Sequence, residues 1–231
     1  PEGDIFLMAE SPGAAVRDPY IVRCNYRGEP LERITVKGIP GDLVGFAPDA
    51  MALRDDRLVL VSGDQMKAAE FRRDGSFERS WDLAKITGLA EKDRANSGIG
   101  GFSLDRDGTF LFTIPTEARA WVVAPNGTAR SFGRLGSAPG MFGIPWGIAR
   151  GDDGTIWVAD RLRDVVIGFD ADLRFVTEIG EGPVRANLLV GPSNLVVGTA
   201  GKLYTTQGGG RPVAVFATRP NILSRRPARA T

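Results

Sequence analysis

Apolar residues along this chain alternate with polar ones in short runs. Each run is closed by Asp, Asn or Gly, the pattern of half-buried strands joined by tight turns. The stretch from Phe132 to Gly180, FGRLGSAPGMFGIPWGIARGDDGTIWVADRLRDVVIGFDADLRFVTEIG, shows it most plainly. It predicts an inner strand beginning at Gly147-Ile148-Ala149, a turn at Asp152-Asp153-Gly154 and a second strand over Thr155–Ala159. A third strand follows over Val165–Phe169, then a turn at Asp170-Ala171-Asp172 and a fourth strand over Arg174–Ile179. Consecutive strands joined this tightly form an antiparallel meander.

The same pattern recurs along the chain. The second strands place Ile5, Leu58, Phe110, Ile156 and Leu203 in register, at spacings of 53, 52, 46 and 47 residues. The turns before them are Pro1-Glu2-Gly3, Asp55-Asp56-Arg57, Asp107-Gly108, Asp153-Gly154 and Ala200-Gly201. A period of this size with four strands per unit predicts an all-β propeller of four-stranded antiparallel blades. The units fall at about 1–37, 48–82, 98–132, 145–180 and 192–224, followed by a basic tail over 225–231. The predicted strands are Asp4–Ala9, Tyr20–Tyr26 and Leu31–Val36 in the first unit, and Ala50–Leu53, Arg57–Val61, Ala68–Arg72 and Phe77–Trp81 in the second. The third unit has Gly101–Leu104, Thr109–Thr113, Ala120–Ala124 and Thr128–Phe132. The fifth has Asn194–Val197, Leu203–Thr206 and Val213–Ala217, with a weak turn at Arg219-Pro220-Asn221 and a weak fourth strand near Ile222. Between the second and third units, Asp82 is placed to cap a helical turn over Leu83–Ile86, and Leu89–Arg94 is helix-compatible. As an insertion between blades, this segment is expected to be exposed.

The motif SFGRLGSAPGMFGIPWGIARGDDGTIWVADRLRDVVIGFD resembles an NHL repeat, and the recurrence extends the resemblance, more weakly, to the other units. The resemblance implies the six-bladed, TolB-like class of β-propellers, mostly binding proteins with some lactonases and lyases. Five units fit this length, whereas six at this period need roughly 280 residues. The ring is therefore five-bladed, or six-bladed with one blade outside this sequence. The first unit lacks its inner strand, and an open sheet edge calls for cover, from an upstream stretch of chain or from a partner.

Composition then narrows the chemistry. The 231 residues suit one domain, and 30 Gly and 15 Pro suit a turn-rich β protein. A formal charge of +1 gives no field favouring nucleic acid or a membrane surface, and no run is long and apolar enough for membrane insertion. The opening residues carry no leader pattern, which is compatible with a processed or trimmed product. The one cysteine, Cys24, can form no internal disulfide and reads as a small strand residue. The chain has no histidine, which removes Ser-His-Asp triads, Cys-His pairs and His-ligated zinc or haem. The NHL-like lyases and paraoxonase-like lactonases depend on histidines, so the resemblance does not carry those activities over.

Strand order fixes which loops share a face. The turns between first and second and between third and fourth strands are tight, while the long loops 10–19, 38–47, 83–97, 133–144, 180–191 and 207–212 all emerge at the other end. Long loops on a rigid scaffold are where binding residues sit. At that end the inner strands begin, and Asp49, Gly100, Trp146 and Ser193 align around the expected channel mouth, with Asn194 one place on. Asp49, Trp146, Ser193 and Asn194 are the candidate binding residues. Trp146 is either an amphipathic ring at the mouth or a ring packed between blades. Met141 and Phe142, in the adjoining loop, are either loop-face contacts or inter-blade packing. No catalytic set is predicted, since no paired carboxylates have the spacing for acid–base work. Asp160 reads as a cap on its own loop, through Arg161 or backbone amides.

Two functions follow. The first is a non-catalytic binding or scaffold module that uses the loop-rich face, takes protein partners rather than nucleic acid, and needs no cofactor. The alternative is a calcium-dependent lactonase or related hydrolase. The resemblance to gluconolactonase-like propellers implies calcium held in the channel, with Asp49 and Asn194 near the right places. The Glu-Gly-Pro motif expected in the first blade is absent, and Glu181-Gly182-Pro183 lies in a blade-to-blade loop. The resemblance also implies a periplasmic or extracellular location.

Overall fold

The computed structural model describes residues 3–10, 19–54, 56–94, 96–180, 189–198, 201–208 and 213–218. The predicted tail 225–231, the turn at 219–221, the strand near Ile222 and the Glu181-Gly182-Pro183 motif lie outside the described residues. The fold is all-β, of the β-propeller class, built from five antiparallel meanders. The chain divides into two units, Pro1–Gly98 and Ile99–Thr231.

The first unit holds two sheets. One is three-stranded, β1 (Ile5–Glu10), β2 (Pro19–Cys24) and β3 (Pro30–Ile34), in sequence order. As expected, no inner strand precedes β1 among the described residues. The other is four-stranded, β4 (Ala50–Arg54), β5 (Arg57–Ser62), β6 (Lys67–Arg72) and β7 (Phe77–Asp82). The second unit holds a sheet of β8 (Phe102–Leu104), β9 (Phe110–Ile114), β10 (Arg119–Val123) and β11 (Ala129–Phe132). Next comes β12 (Pro145–Arg150), β13 (Ile156–Asp160), β14 (Val165–Phe169) and β15 (Phe175–Ile179). The last sheet is β16 (Leu195–Val197), β17 (Lys202–Thr206) and β18 (Val213–Ala217).

Strand ends differ from the prediction by one or two residues. Strand β2 stops at Cys24 rather than Tyr26 because Asn25 starts a turn, its Oδ1 accepting from the Arg27 and Glu29 amides. The inner strand of the fourth sheet starts at Pro145 rather than Gly147, with a register shift between Pro145 and Ile148. The helical turn after Asp82 is present as α1 (Leu83–Thr87), where Asp82 accepts from the Lys85 amide and Gly88 closes the turn in the left-handed region. A second short helix, α2 (Glu91–Arg94), follows. The expectation that this segment is exposed needs correction, because Leu83 and Ala84 are buried. The cap that starts α1 also turns its first residues inward, and Arg94 ties the far end back through two hydrogen bonds to Asp82 and one to the Gln65 carbonyl.

The core lies in apolar seams between consecutive sheets. In the first unit, Ile21 and Ile34 with Phe6 and Met8 meet Leu58, Leu60, Ala69 and Phe71. In the second, Leu111, Ala120 and Phe132 meet Ile148, Ile156, Val158 and Ile167, and Ala149, Trp157, Ala159 and Val166 meet Leu195 and Leu203. Each large side chain fully buried in a seam stabilises the fold by about 1.5–3 kcal/mol. Cys24 is buried and free, as a small strand residue.

Candidate functional site

The candidate residues sit where inner strands begin, and in the second unit that region is built by close backbone approach. A Cβ on Gly101 would collide with the Trp146 carbonyl, and one on Gly147 with the Ser193 carbonyl, so glycine at both places lets neighbouring inner strands touch. Two threonines in equivalent places of their sheets close the remaining polar groups. The Thr113 hydroxyl donates to the Trp146 carbonyl at 2.6 Å and accepts from the Gly101 amide at 3.0 Å. Thr206 Oγ1 accepts from the Asn194 amide at 3.0 Å and lies 2.8 Å from the Ser193 hydroxyl. Thr113 and Thr206 were not singled out in the sequence. The signal was there, since each lies three places after its register residue, Phe110 or Leu203.

The structure brings Trp146, Ser193 and Asn194 together. The Ser193 hydroxyl is engaged by Thr206, whereas the Asn194 side chain is exposed. The Trp146 ring is half-buried, and the Arg161 guanidinium lies over it, 4.4 Å from the ring centre. The ring is thus neither free at a mouth nor enclosed in a seam, but covered by an exposed cation. Arg161 is a residue that sequence reasoning assigned elsewhere, as a possible partner of Asp160. Of the two caps the sequence offered for Asp160, Arg161 or backbone amides, the structure takes the second: Asp160 is buried and accepts from the amides of Gly143, Ile144, Leu162 and Arg163, at 2.6–3.1 Å. Four charge-assisted bonds make it the clamp that fixes the 133–144 loop to the 160–164 loop.

Met141 and Phe142 part company. Phe142 is fully buried, 6.2 Å from the Phe132 ring and 5.6 Å from the Phe169 ring, so it belongs to the seam and not to the surface. Met141 is half-buried, and its carbonyl accepts from Arg163, which also forms a two-pronged pair with Glu178. Around this framework the loops expose Leu135, Ile144, Leu162 and Val190, of which Leu135 and Leu162 are 74% and 66% accessible.

In the first unit, Asp49 is exposed, and its Oδ1 accepts from the Gly63 amide at 3.0 Å. Gln65 holds the neighbouring loop by accepting from the Ala47 amide and donating to the Gly45 carbonyl. Calcium asks for roughly six to eight oxygens. Asp49 has one oxygen committed to an amide, and among the described residues no three His, Cys, Asp or Glu side chains gather as a metal-holding group. Among the described residues, the donors around Asp49 do not make up a calcium site.

Two other features lie away from the long loops. A cleft of about 470 Å³ opens at the tight-turn end of the fourth and fifth sheets, lined by Asp152, Asp153, Trp157, Val197 and Thr218 among others. At the same end of the third sheet, burial pushes the Asp105 carboxyl up to about 6; nearby Arg150 opposes the shift and Asp107 adds to it. At Asp82, burial works upward, but the Lys85 amide and Arg94 outweigh it and hold that carboxyl below its ordinary range.

No protein-family model matches the chain, and no curated protein matches it in sequence. Solved structures do share its fold. The structure of the nidogen/laminin complex matches with a TM-score of 0.63 and 17% identity, over 92% of this chain and 71% of that one. A candidate 6-phosphogluconolactonase from Bacteroides uniformis matches with a TM-score of 0.56 and 15% identity, over 94% and 65%. Virginiamycin B lyase from Staphylococcus aureus matches with a TM-score of 0.54 and 14% identity, over 88% and 64%, and a histidine-to-alanine variant of that lyase is catalytically inactive. The chain spans less than two thirds of the length of the latter two proteins. Among the described residues, no helix is long and apolar enough to cross a membrane.

Proposed function

We propose that this chain is a non-catalytic, NHL-type β-propeller module that binds a protein through its loop-rich face, as a subunit of a larger assembly in the periplasm or outside the cell. One observation carries the reading. In the second unit, a rigid loop framework clamped by Asp160 presents exposed Leu135, Ile144, Leu162 and Val190 around the Trp146–Arg161 stack. Exposed apolar side chains beside an aromatic–arginine pair have the make-up of a protein interface core. The partner it suits has an apolar anchor flanked by a carboxylate for Arg161. A lyase mechanism like that of the structural neighbour finds no histidine here. The carboxylates best buried in the loop framework, Asp160 and Glu178, already hold loops in place.

The test is affinity capture from the native source with the wild-type chain and with Leu162→Glu and Trp146→Ala. A second polypeptide held by the wild type and released by both variants supports the reading. Native protein that elutes only as a free single chain removes it. The alternative, a calcium-dependent lactonase, requires gluconolactone hydrolysis that rises with added calcium and falls in Asp49→Ala and Asn194→Ala.

A further inference from the structure

Four tight turns share one geometry. In each, a side-chain oxygen on the residue before a glycine accepts from the amide two places on. Asp74 accepts from Ser76, Asp107 from Thr109, Asp153 from Thr155 and Asn126 from Thr128, all at 2.8–3.0 Å. The glycines Gly75, Gly108, Gly154 and Gly127 have φ between +82° and +85°, in the left-handed region. Their amides donate back to the carbonyls of Arg72, Asp105, Gly151 and Ala124 at 2.8–2.9 Å. Asn126 is the member that differs, with an amide where the other three turns hold a carboxylate.

That amide stands beside an unhindered nucleophile. Of the asparagines in the chain, Asn126 alone is followed by glycine. Both residues are exposed in the turn between β10 and β11. Nothing lies within 4 Å of where a Cβ would stand on Gly127, so its main-chain nitrogen can be approached. The Thr128 amide draws charge onto Asn126 Oδ1 and leaves Cγ open to attack. One contact works the other way: the Gly127 amide is tied to the Ala124 carbonyl at 2.8 Å, so the turn must loosen before the nitrogen is free.

We infer that Asn126 is a covalent modification site, hydrolysed by water through a ring that the Gly127 main-chain nitrogen closes. The Gly127 nitrogen bonds to Asn126 Cγ, the Cγ–Nδ2 bond breaks, and Nδ2 leaves as ammonia with the proton of the Gly127 amide. Water then opens the five-membered ring at either carbonyl. Opening at Cγ leaves aspartate in place of Asn126. Opening at the Asn126 main-chain carbonyl leaves the chain running through Cβ and Cγ, an isoaspartyl link. One water is consumed, one ammonia is released, and nothing is oxidised or reduced. The fold already holds the first product, since Asp74, Asp107 and Asp153 make the same turn. There the Ser76 and Thr109 amides keep the Asp74 and Asp107 carboxyls below their ordinary range. The second product lengthens the main chain between β10 and β11, so the ends of the two strands no longer match in that turn. The inference is independent of the loop-rich face, because this turn lies at the opposite end of its sheet.

The experiment holds the full chain in warm, mildly alkaline water labelled with heavy oxygen, then maps the tryptic fragment Ala120–Arg130 by mass. The fragment is expected to exchange one NH2 for a labelled OH and to split into two products of equal mass, the straight and the rearranged. The same segment as a free peptide lacks the hold on the Gly127 amide. It is expected to react about twofold to tenfold faster, the worth of one net hydrogen bond. Gly127→Ala crowds the attacking nitrogen and is expected to slow the folded reaction about tenfold. Asn126→Asp, the straight product made directly, is expected to melt like the wild type. No labelled oxygen at residue 126 once the free peptide has fully converted overturns the inference. Equal rates in the wild type and Gly127→Ala also overturn it, because water would then be attacking the amide directly. A clear drop in the melting temperature of Asn126→Asp overturns the claim that the fold accepts the straight product.

Discussion

Arg150, at the end of an inner strand, reaches across the seam between the third and fourth sheets to Asp105, with its Nη1 2.7 Å from Oδ2. The pair is close but poorly aligned, and Asp105 Oδ2 receives no hydrogen bond. Charge alone therefore repays burial, and it does so incompletely, which is why the carboxyl is pushed up to about 6. A carboxyl whose folded value lies above its unfolded one favours the folded state while protonated. That contribution is full below about 4 and is lost as pH rises through about 6. Asp105→Asn is expected to flatten the stability profile between about pH 4 and 6.5 and to raise the melting temperature by a few degrees at about pH 7.5. Thermal melts across pH check this. A variant less stable by more than about 1 kcal/mol at neutral pH would show that the ion pair outweighs the burial.

Asp160→Ala leaves the amides of Gly143, Ile144, Leu162 and Arg163 without their acceptor. The expected loss is about 3–5 kcal/mol by denaturant titration, at the upper end for a single substitution. Deuterium uptake should rise first in the 133–144 and 160–164 loops.

Two glycines separate packing from backbone strain. Gly147→Ala drives a methyl into the Ser193 carbonyl and the Leu195 amide, so it is expected to cost about 2 kcal/mol or more. Gly127 has a φ of +85° but nothing near its Cβ position, so Gly127→Ala should cost only about 1 kcal/mol. Equal losses at the two sites would contradict the close approach of inner strands.

Phe142→Ala empties a site between Phe132 and Phe169 and is expected to cost about 3–5 kcal/mol. Met141→Ala, at a half-buried neighbour, should cost far less. If Phe142→Ala weakened partner capture without lowering stability, its assignment to the seam would be wrong.

The sequence made the meanders legible because each strand is short and each turn carries its own Asp or Gly, so that local chemistry alone marks the ends. The Asp82 cap and the free, buried Cys24 were readable for the same reason. The site was harder, because its bonds join residues far apart in the chain. Thr113 meets Trp146 across 33 residues, and Asp160 reaches back 17 to Gly143. The local pattern offered backbone amides to Asp160, but nothing in it says that Arg161 turns to the Trp146 ring or that Asp160 also gathers the amides of Gly143 and Ile144. Phe142 and Met141 are adjacent and similar in hydropathy, and only the alternation imposed by the loop sends one inward.

In the second unit the fourth sheet shares one seam with the third and another with the last, so its central strands carry cohesion from both sides. Val158 and Ile167 lie in one of these seams and Trp157 and Val166 in the other. Amide exchange should accordingly be slowest at Val158 and Ile167, so that the second unit loosens around the fourth sheet before that sheet itself opens.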